Sequence, residues 1–294
     1  MKKIDPLALI ERARLGGYAV GGFNMHNVET TQALIHAAEQ SNSPVFLQIG
    51  RAIVPHMGIE EAYRMTRHEL NKSNAEAAIH LDHGTYDEVF DAIKMGFDSI
   101  MFDGSHLDFA DNVEATRHIV TVAHAFGVPV EAELGRIPDA GTDIDWSEYY
   151  TSVEEADEFV RKTGVDILAV SAGVSHGVSP ERSLPLDIER ISLIREATDI
   201  PLVLHGASGV PYDDLRAAIA AGVHKLNADT DLRHAFRRGM EQTFAQGDRQ
   251  LEEAMDEGRS QMIDATIQKM TEYGCVGTAG VRILTAAAAA AAAS

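Results

Sequence analysis

The chain has 294 residues, 45% of them apolar, which is enough for a sizeable core and within the range of one α/β barrel. Its 25 basic and 45 acidic residues leave a net charge of −20, which disfavours phosphate backbones and anionic membranes. Nucleic acid and lipid are therefore excluded as expected partners, whereas a small anion held by a local field is not.

The single cysteine, Cys275, excludes an intramolecular disulfide and a multi-cysteine zinc site, and it suits a reducing cytoplasm. The opening residues do not read as a signal peptide, and no apolar stretch is long enough to span a bilayer. From there the chain alternates apolar runs with helical periodicity. YAVGGFN (from Tyr18) precedes a helix over VETTQALIHAAEQ, and PVFLQIG (from Pro44) precedes IEEAYRMTRHEL. AAIHLDH (from Ala77) leads to YDEVFDAIKMG, and DSIMFDG (from Asp98) leads to NVEATRHIVTVAHAFG. PVEAELG (from Pro129) runs into a polar loop and then SVEEADEFVRKTG. DILAVSAG (from Asp166), PLVLHGA (from Pro201) and VHKLNAD (from Val223) complete the series, with helices between them and after the last. Gly96, Gly127, Gly164 and Gly222 stand where helix C-caps are expected.

Near-continuous apolar strands mean burial on both faces and hence a parallel sheet. Eight such units predict a closed (β/α)8 TIM barrel, with an additional C-terminal helix over residues 251–274 that is a candidate oligomer contact. An open doubly wound sheet is the alternative, but its first turn should carry a glycine-rich dinucleotide fingerprint, and GGFNMHN is not one. The barrel is expected to occupy residues 1–281. Residues 282–294, with alanine from Ala286 to Ala293, read as a scar or placeholder outside the fold.

The C-terminal ends of barrel strands converge on one rim, which is where such folds keep their active sites. Here the ends carry Asn24, Gly50-Arg51, Asp82-His83, Asp103, Glu131 and Glu133, His176, His205, and Asn227 to Thr230. His83, His176 and His205 can therefore meet although they are far apart in sequence. Three neutral imidazoles with an open position suit catalytic zinc, and Asp103 and Glu133 are in reach of the same ion or of a second site. The other histidines read differently: His36, His68, His106, His118, His124 and His234 lie on helical or loop patterns, and His80 and His224 read as packing residues within strands. HGASG and NADT close the seventh and eighth strands, the usual phosphate-binding place in this fold. Backbone N–H groups at Gly177, Gly206, Ala207 and Ser208, with Asn227 and Thr230 at a helix start, are candidates to surround one phosphate.

LDHG, VEAELG, TSVEEADEFVRKTGVDILAVSAGVSHG, HGASGVP and KLNADTDL occur in that order between about Lys2 and Gly274. Together they resemble the class II, metal-dependent ketose-bisphosphate aldolases, the fructose- and tagatose-bisphosphate group. The resemblance implies zinc on His83, His176 and His205, a second or alternate divalent metal position at Asp103 and Glu133, and Asp82 as catalytic acid/base. It also implies phosphate on Gly177, Gly206 to Ser208, and Asn227, Ala228, Asp229 and Thr230, with a monovalent cation (Na+ or K+) beside it. Arg233 matches a family arginine that reaches a second phosphate, and Asn24 belongs to the expected substrate-binding rim. The implied substrate is a small phosphorylated sugar, a ketose 1-phosphate or 1,6-bisphosphate, cleaved to dihydroxyacetone phosphate and an aldehyde by a homodimer or homotetramer.

The residue types suit that chemistry. Cleaving C3–C4 of a ketose phosphate leaves an enediolate, whose charge a Lewis-acidic metal stabilises, while a carboxylate takes the C4 hydroxyl proton. Holding the phosphate lets binding energy orient the reacting carbons.

The chain also departs from the family pattern. Gly50, followed by Arg51, replaces the usual serine at the end of strand two. The loop RIPDAGTDIDW offers only Asp139, Asp143 and Asp145 where a GGxED-like loop normally supplies a mobile glutamate. Val178-Ser179-Pro180 replaces an aromatic-lysine pair. The aldehyde half of the site is thus expected to be altered. Alternatives are a metal-dependent barrel hydrolase, a Schiff-base aldolase using Lys225, the one lysine on a strand, and a non-catalytic sugar-phosphate-binding paralogue.

Overall fold

A computed structural model describes residues 4–139, 145, 148–175, 177 and 185–280. His176, Asp143 and Val178-Ser179-Pro180 fall outside the described residues. Eight strands form one closed parallel barrel: β1 (Val20–Asn24), β2 (Val45–Gly50), β3 (Ala77–Gly84), β4 (Ser99–Phe102), β5 (Val130–Leu134), β6 (Ile167–Val170), β7 (Leu202–Leu204) and β8 (Val223–Ala228). Pairing runs in sequence order, and β8 closes against β1 with Val20 opposite Lys225.

Among the described residues, eleven helices surround the barrel. They are α1 (Pro6–Gly16), α2 (Val28–Ser41), α3 (Val54–Met57), α4 (Ile59–Leu70), α5 (Tyr86–Met95), α6 (Phe109–Ala125), α7 (Val153–Thr163), α8 (Ile188–Thr198), α9 (Tyr212–Ala221), α10 (Thr230–Phe244) and α11 (Leu251–Glu272). The expected barrel and its added C-terminal helix are both present. The sequence reading begins at Tyr18 and leaves out α1, although Asp5 caps its first turn and Pro6 occupies the first helical position. It also omits α3, whose single turn is too short to show a period.

Local chemistry sets where each helix starts and stops. Thr85 and Glu88 form a reciprocal capping box that turns the chain out of β3 into α5, the kind of cap that contributes about 1 kcal/mol. Gly96 and Gly164 end their helices in the left-handed conformation, as their positions predict. The buried stripe of α11, including Ala254, Gly258, Met262, Thr266 and Met270, faces the molecule, and this helix packs on α10 and α2.

One irregularity bears on function. All of β3 is buried, and its register against β4 shifts between Leu81 and Gly84. His83 sits there with φ at 52°, a left-handed conformation that a non-glycine residue rarely adopts. In a regular strand, Asp82 and His83 would point to opposite faces. The bulge turns His83 back, and both side chains line the same cleft.

Candidate active site

The C-terminal rim opens into a cleft of about 600 Å³, floored by Asp82, His83 and His205 and walled by residues from both ends of the sheet order. Asp82 Oδ2 accepts from Asn24 Nδ2 at 2.9 Å, and Asp82 Oδ1 lies 3.4 Å from Asn227 Nδ2. Burial works against the Asp82 charge, but His83, His205, Lys225 and the Asn24 amide outweigh it and hold its pKa below the ordinary value. Asp82 is therefore kept as a carboxylate able to accept a proton.

The two imidazoles meet beside it, with His205 Nδ1 2.9 Å from His83 Nε2. The other ring nitrogen of His83 is 2.7 Å from Asp103 Oδ2, and Asp103 Oδ1 accepts from the Ser105 hydroxyl at 2.7 Å. Glu133 Oε2 lies 3.8 Å from the same His83 nitrogen. Burial opposes charge on His83, yet Asp82, the Asp103 hydrogen bond and Glu133 together raise its pKa to about 9. Burial, then the Asp103 charge, pushes Glu133 up to about 8.

Two overlapping donor sets arise, Asp82–His83–His205 and His83–Asp103–Glu133, each with its ligand atoms within 4.8 Å of one another. The Glu133 Oε2 atom is buried and has no hydrogen-bond partner. Such an oxygen is costly to leave unsatisfied, and beside the His83 imidazole and the Asp103 carboxylate it fits a divalent cation. These residues thus suit the metal implied by sequence. His176, the third expected imidazole, lies outside the described residues.

The expected phosphate cradle divides. Gly177, Gly206, Ser208, Asn227, Asp229, Thr230 and Arg233 line the cleft together with Asn24, Gly50 and Arg51. Ala207 and Ala228 do not line it: both are buried, and the Ala207 N–H is taken by the Asn227 carbonyl at 2.9 Å. Asp229 is held between His26 Nε2 at 2.7 Å and Arg233 Nε at 2.7 Å. His26 also lines the cleft, and the sequence reading passes over it because it sits in a β1–α2 connection with no motif around it. At the β2 side Arg51 pairs with Asp139 at 3.0 Å, and both line the cleft. Asp145 is exposed and does not line the cleft.

Beneath the rim stands Glu131, which the sequence places at a strand end without pointing to a role for it. Its Oε1 is 2.9 Å from His205 Nε2, and its Oε2 is 2.7 Å from Lys225 Nζ. The expected lone strand lysine is therefore an ion-paired core residue.

A closed parallel barrel whose rim gathers carboxylates and imidazoles over an anion-sized cleft has the layout of a metal-assisted barrel enzyme. The sequence profile described as Fructose-bisphosphate aldolase class-II matches residues 5–278, and the chain belongs to that family. It is an aldolase, and hence a lyase, of a family that is generally zinc-dependent and acts on phosphorylated sugars. The chain is 36% identical over 280 residues to a protein named Sulfofructosephosphate aldolase from Alkalicoccus urumqiensis, covering 93% of this chain and 97% of that one. Identity is also 36% over 304 residues with the Fructose-bisphosphate aldolase of Thermus caldophilus, covering 94% and 99%. The solved structure of the YdjI aldolase from Escherichia coli K12 is similar with a TM-score of 0.84 at 31% identity, covering 94% of this chain and 99% of that one. No helix among the described residues is long and apolar enough to cross a membrane.

Proposed function

We propose that the chain cleaves a ketose 1-phosphate to dihydroxyacetone phosphate and an aldehyde whose far terminus differs from that of an ordinary bisphosphate substrate. The observation that carries the reading is the contrast between the two walls of one cleft. The β7–β8 wall keeps Gly206, Ser208, Asn227 and Thr230 for a phosphate, whereas the β2 wall presents Gly50 and a guanidinium, Arg51.

His83 and His205, with His176, which follows β6 in the sequence, are the proposed zinc ligands. Asp103 and Glu133 are proposed to hold an alternate or second position. A divalent ion there supplies Lewis-acid stabilisation of the negative charge that develops as C3–C4 breaks. Asp82, oriented by Asn24, takes the C4 hydroxyl proton and returns it on condensation. The cradle at the helix start of α10 fixes the non-reacting phosphate and so aligns the reacting carbons.

Arg51 is about half exposed, and its pair with Asp139 is a surface pair that contributes about 0–1 kcal/mol. An incoming anionic terminus can replace Asp139 on that guanidinium at little cost. The relatives named for sulfofructose phosphate and for fructose bisphosphate are equally similar to this chain, at 36% identity, which supports an anionic terminus there. The single cysteine, Cys275, is buried and fits a cytoplasmic setting.

The test is a kcat/KM comparison of ketose 1-phosphates bearing a phosphate, a sulfonate or a hydroxyl at C6. The reading expects a non-phosphate terminus to be used at least as well as a phosphate. A preference for a 1,6-bisphosphate beyond about 10³-fold, roughly 4 kcal/mol of transition-state discrimination, overturns it.

A further inference from the structure

The barrel interior below the rim is polar where branched apolar side chains usually fill it. Lys225, Glu131, His80 and Gln48 are all essentially inaccessible to solvent there. The Lys225 ammonium meets three acceptors: Glu131 Oε2 at 2.7 Å, His80 Nε2 at 3.3 Å and, with the Gln48 amide turned to suit its neighbours, the Gln48 side-chain oxygen at 3.1 Å. Lysine donates only, so each of these atoms is fixed as an acceptor. His80 must then carry its proton on Nδ1, where Ser99 Oγ stands 2.7 Å away.

The same logic passes through Glu131. A carboxylate facing Lys225 with one oxygen is an acceptor with the other, so it takes the Nε2–H of His205. The neutral ring then presents its Nδ1 lone pair to the side where His83 Nε2 stands 2.9 Å away. The Asn227 amide nitrogen lies 3.2 Å from Nδ1 and 3.1 Å from Nε2 of His205, aligned with neither lone pair, and does not decide between tautomers.

We propose that the buried Lys225–Glu131 pair is a positioning device that locks His205 in the Nε2–H tautomer and so reserves Nδ1 for a divalent metal. The inference rests on the metal-site reading above. Neither residue touches substrate; both act through His205. The pair also explains a buried charge pair in a core where apolar residues of equal volume would fold as well. Carboxylates behind metal-binding histidines typically change metal affinity by about 10–100-fold.

The test uses cobalt(II) titrated into the metal-stripped full chain against a competing chelator, with the cobalt visible spectrum recorded for each variant. In Glu131→Gln, Lys225 claims the amide oxygen, the amide nitrogen faces His205 Nε2, and the ring is driven to the wrong tautomer. Cobalt affinity should fall about 10–100-fold. Adding Lys225→Met frees the glutamine oxygen to accept from Nε2–H, and Glu131→Gln/Lys225→Met should return to within about threefold of wild type, with a wild-type cobalt spectrum. Glu131→Leu/Lys225→Met, which offers no acceptor, should remain about 10–100-fold weaker. The two double variants bury no charge, so their comparison stands whether or not the single variant folds. Equal cobalt affinity in both double variants overturns the positioning role. Failure of the wild-type chain to bind cobalt would instead remove the metal reading itself, and this inference with it.

Discussion

Replacing Gly50 by alanine adds one methyl group at a crowded point of the proposed site. Gly50 has no positive φ, so alanine fits its backbone without strain, and only space matters. A Cβ there would stand 2.9 Å from Asp82 Oδ2, 3.0 Å from Asn24 Nδ2 and 3.2 Å from Asp82 Cβ. Comfortable contact begins near about 3.5 Å, so the Asn24–Asp82 pair must retreat by about half an ångström. A misplacement of about 1 Å at a reacting group costs roughly 10²-fold, so half of that should lower kcat about tenfold, or about 1.4 kcal/mol of barrier. The three nearest atoms to that Cβ belong to Asp82 and Asn24 rather than to Gly206, Ser208 or Thr230, so KM for a ketose 1-phosphate should change little. Coupled detection of dihydroxyacetone phosphate gives kcat and KM, and elemental analysis gives metal content. Gly50→Ala with kcat within twofold of wild type would refute the idea that this glycine makes room for the proton carrier.

Asp82→Ala should keep its metal while kcat falls by about 10²–10⁴, whereas His205→Ala should lose metal and activity together; equal metal loss in both would make Asp82 a ligand. Metal affinity should rise with pH. With His83 raised to about 9 and Glu133 to about 8, both hold protons at neutral pH that a cation must displace, so binding releases protons until pH passes about 9. Calorimetry in buffers of different ionisation enthalpy measures that release, and none at pH 7 would contradict the assignment. His224, on the opposite side of the barrel from the cleft, is pushed down to about 4 by burial and then by Arg195 and Arg14. Its contribution to stability is complete above the unfolded value near 6.5 and is lost as pH falls toward 4, at most about 3 kcal/mol. His224→Gln should therefore flatten the acid limb of a chemical-denaturation profile, and an unchanged limb would count against it.

The barrel was legible because its strands are apolar runs that end abruptly in titratable residues, and closure alone carries Asp82, His83 and His205 to one rim. The direction of His83 was not legible. Alternation puts it opposite Asp82, and only the left-handed bulge at the end of β3 brings the two together. The role of Glu131 was not legible for a related reason. VEAELG shows two glutamates spaced by two, which places both on one face of a strand, yet sequence does not say that this face is the barrel interior. Lys225 and Asn227 repeat the same spacing on β8, and a paired i, i+2 polar pattern on two strands was the available signal. Ala207 was included in the phosphate cradle by its motif, and a backbone hydrogen bond across to Asn227 removes its donor.

Asp82 and a metal held by His83 and His205 are proposed to release dihydroxyacetone phosphate from a ketose 1-phosphate. The most direct measurement is the rate of that release by wild-type protein before chelation, after exhaustive chelator dialysis, and after zinc or cobalt is restored, with metal content determined at each stage. Activity should vanish with the metal and return with it, and Asp82→Ala, loaded with the same metal, should stay nearly inactive. Unchanged turnover in protein shown to be free of metal would contradict that proposal.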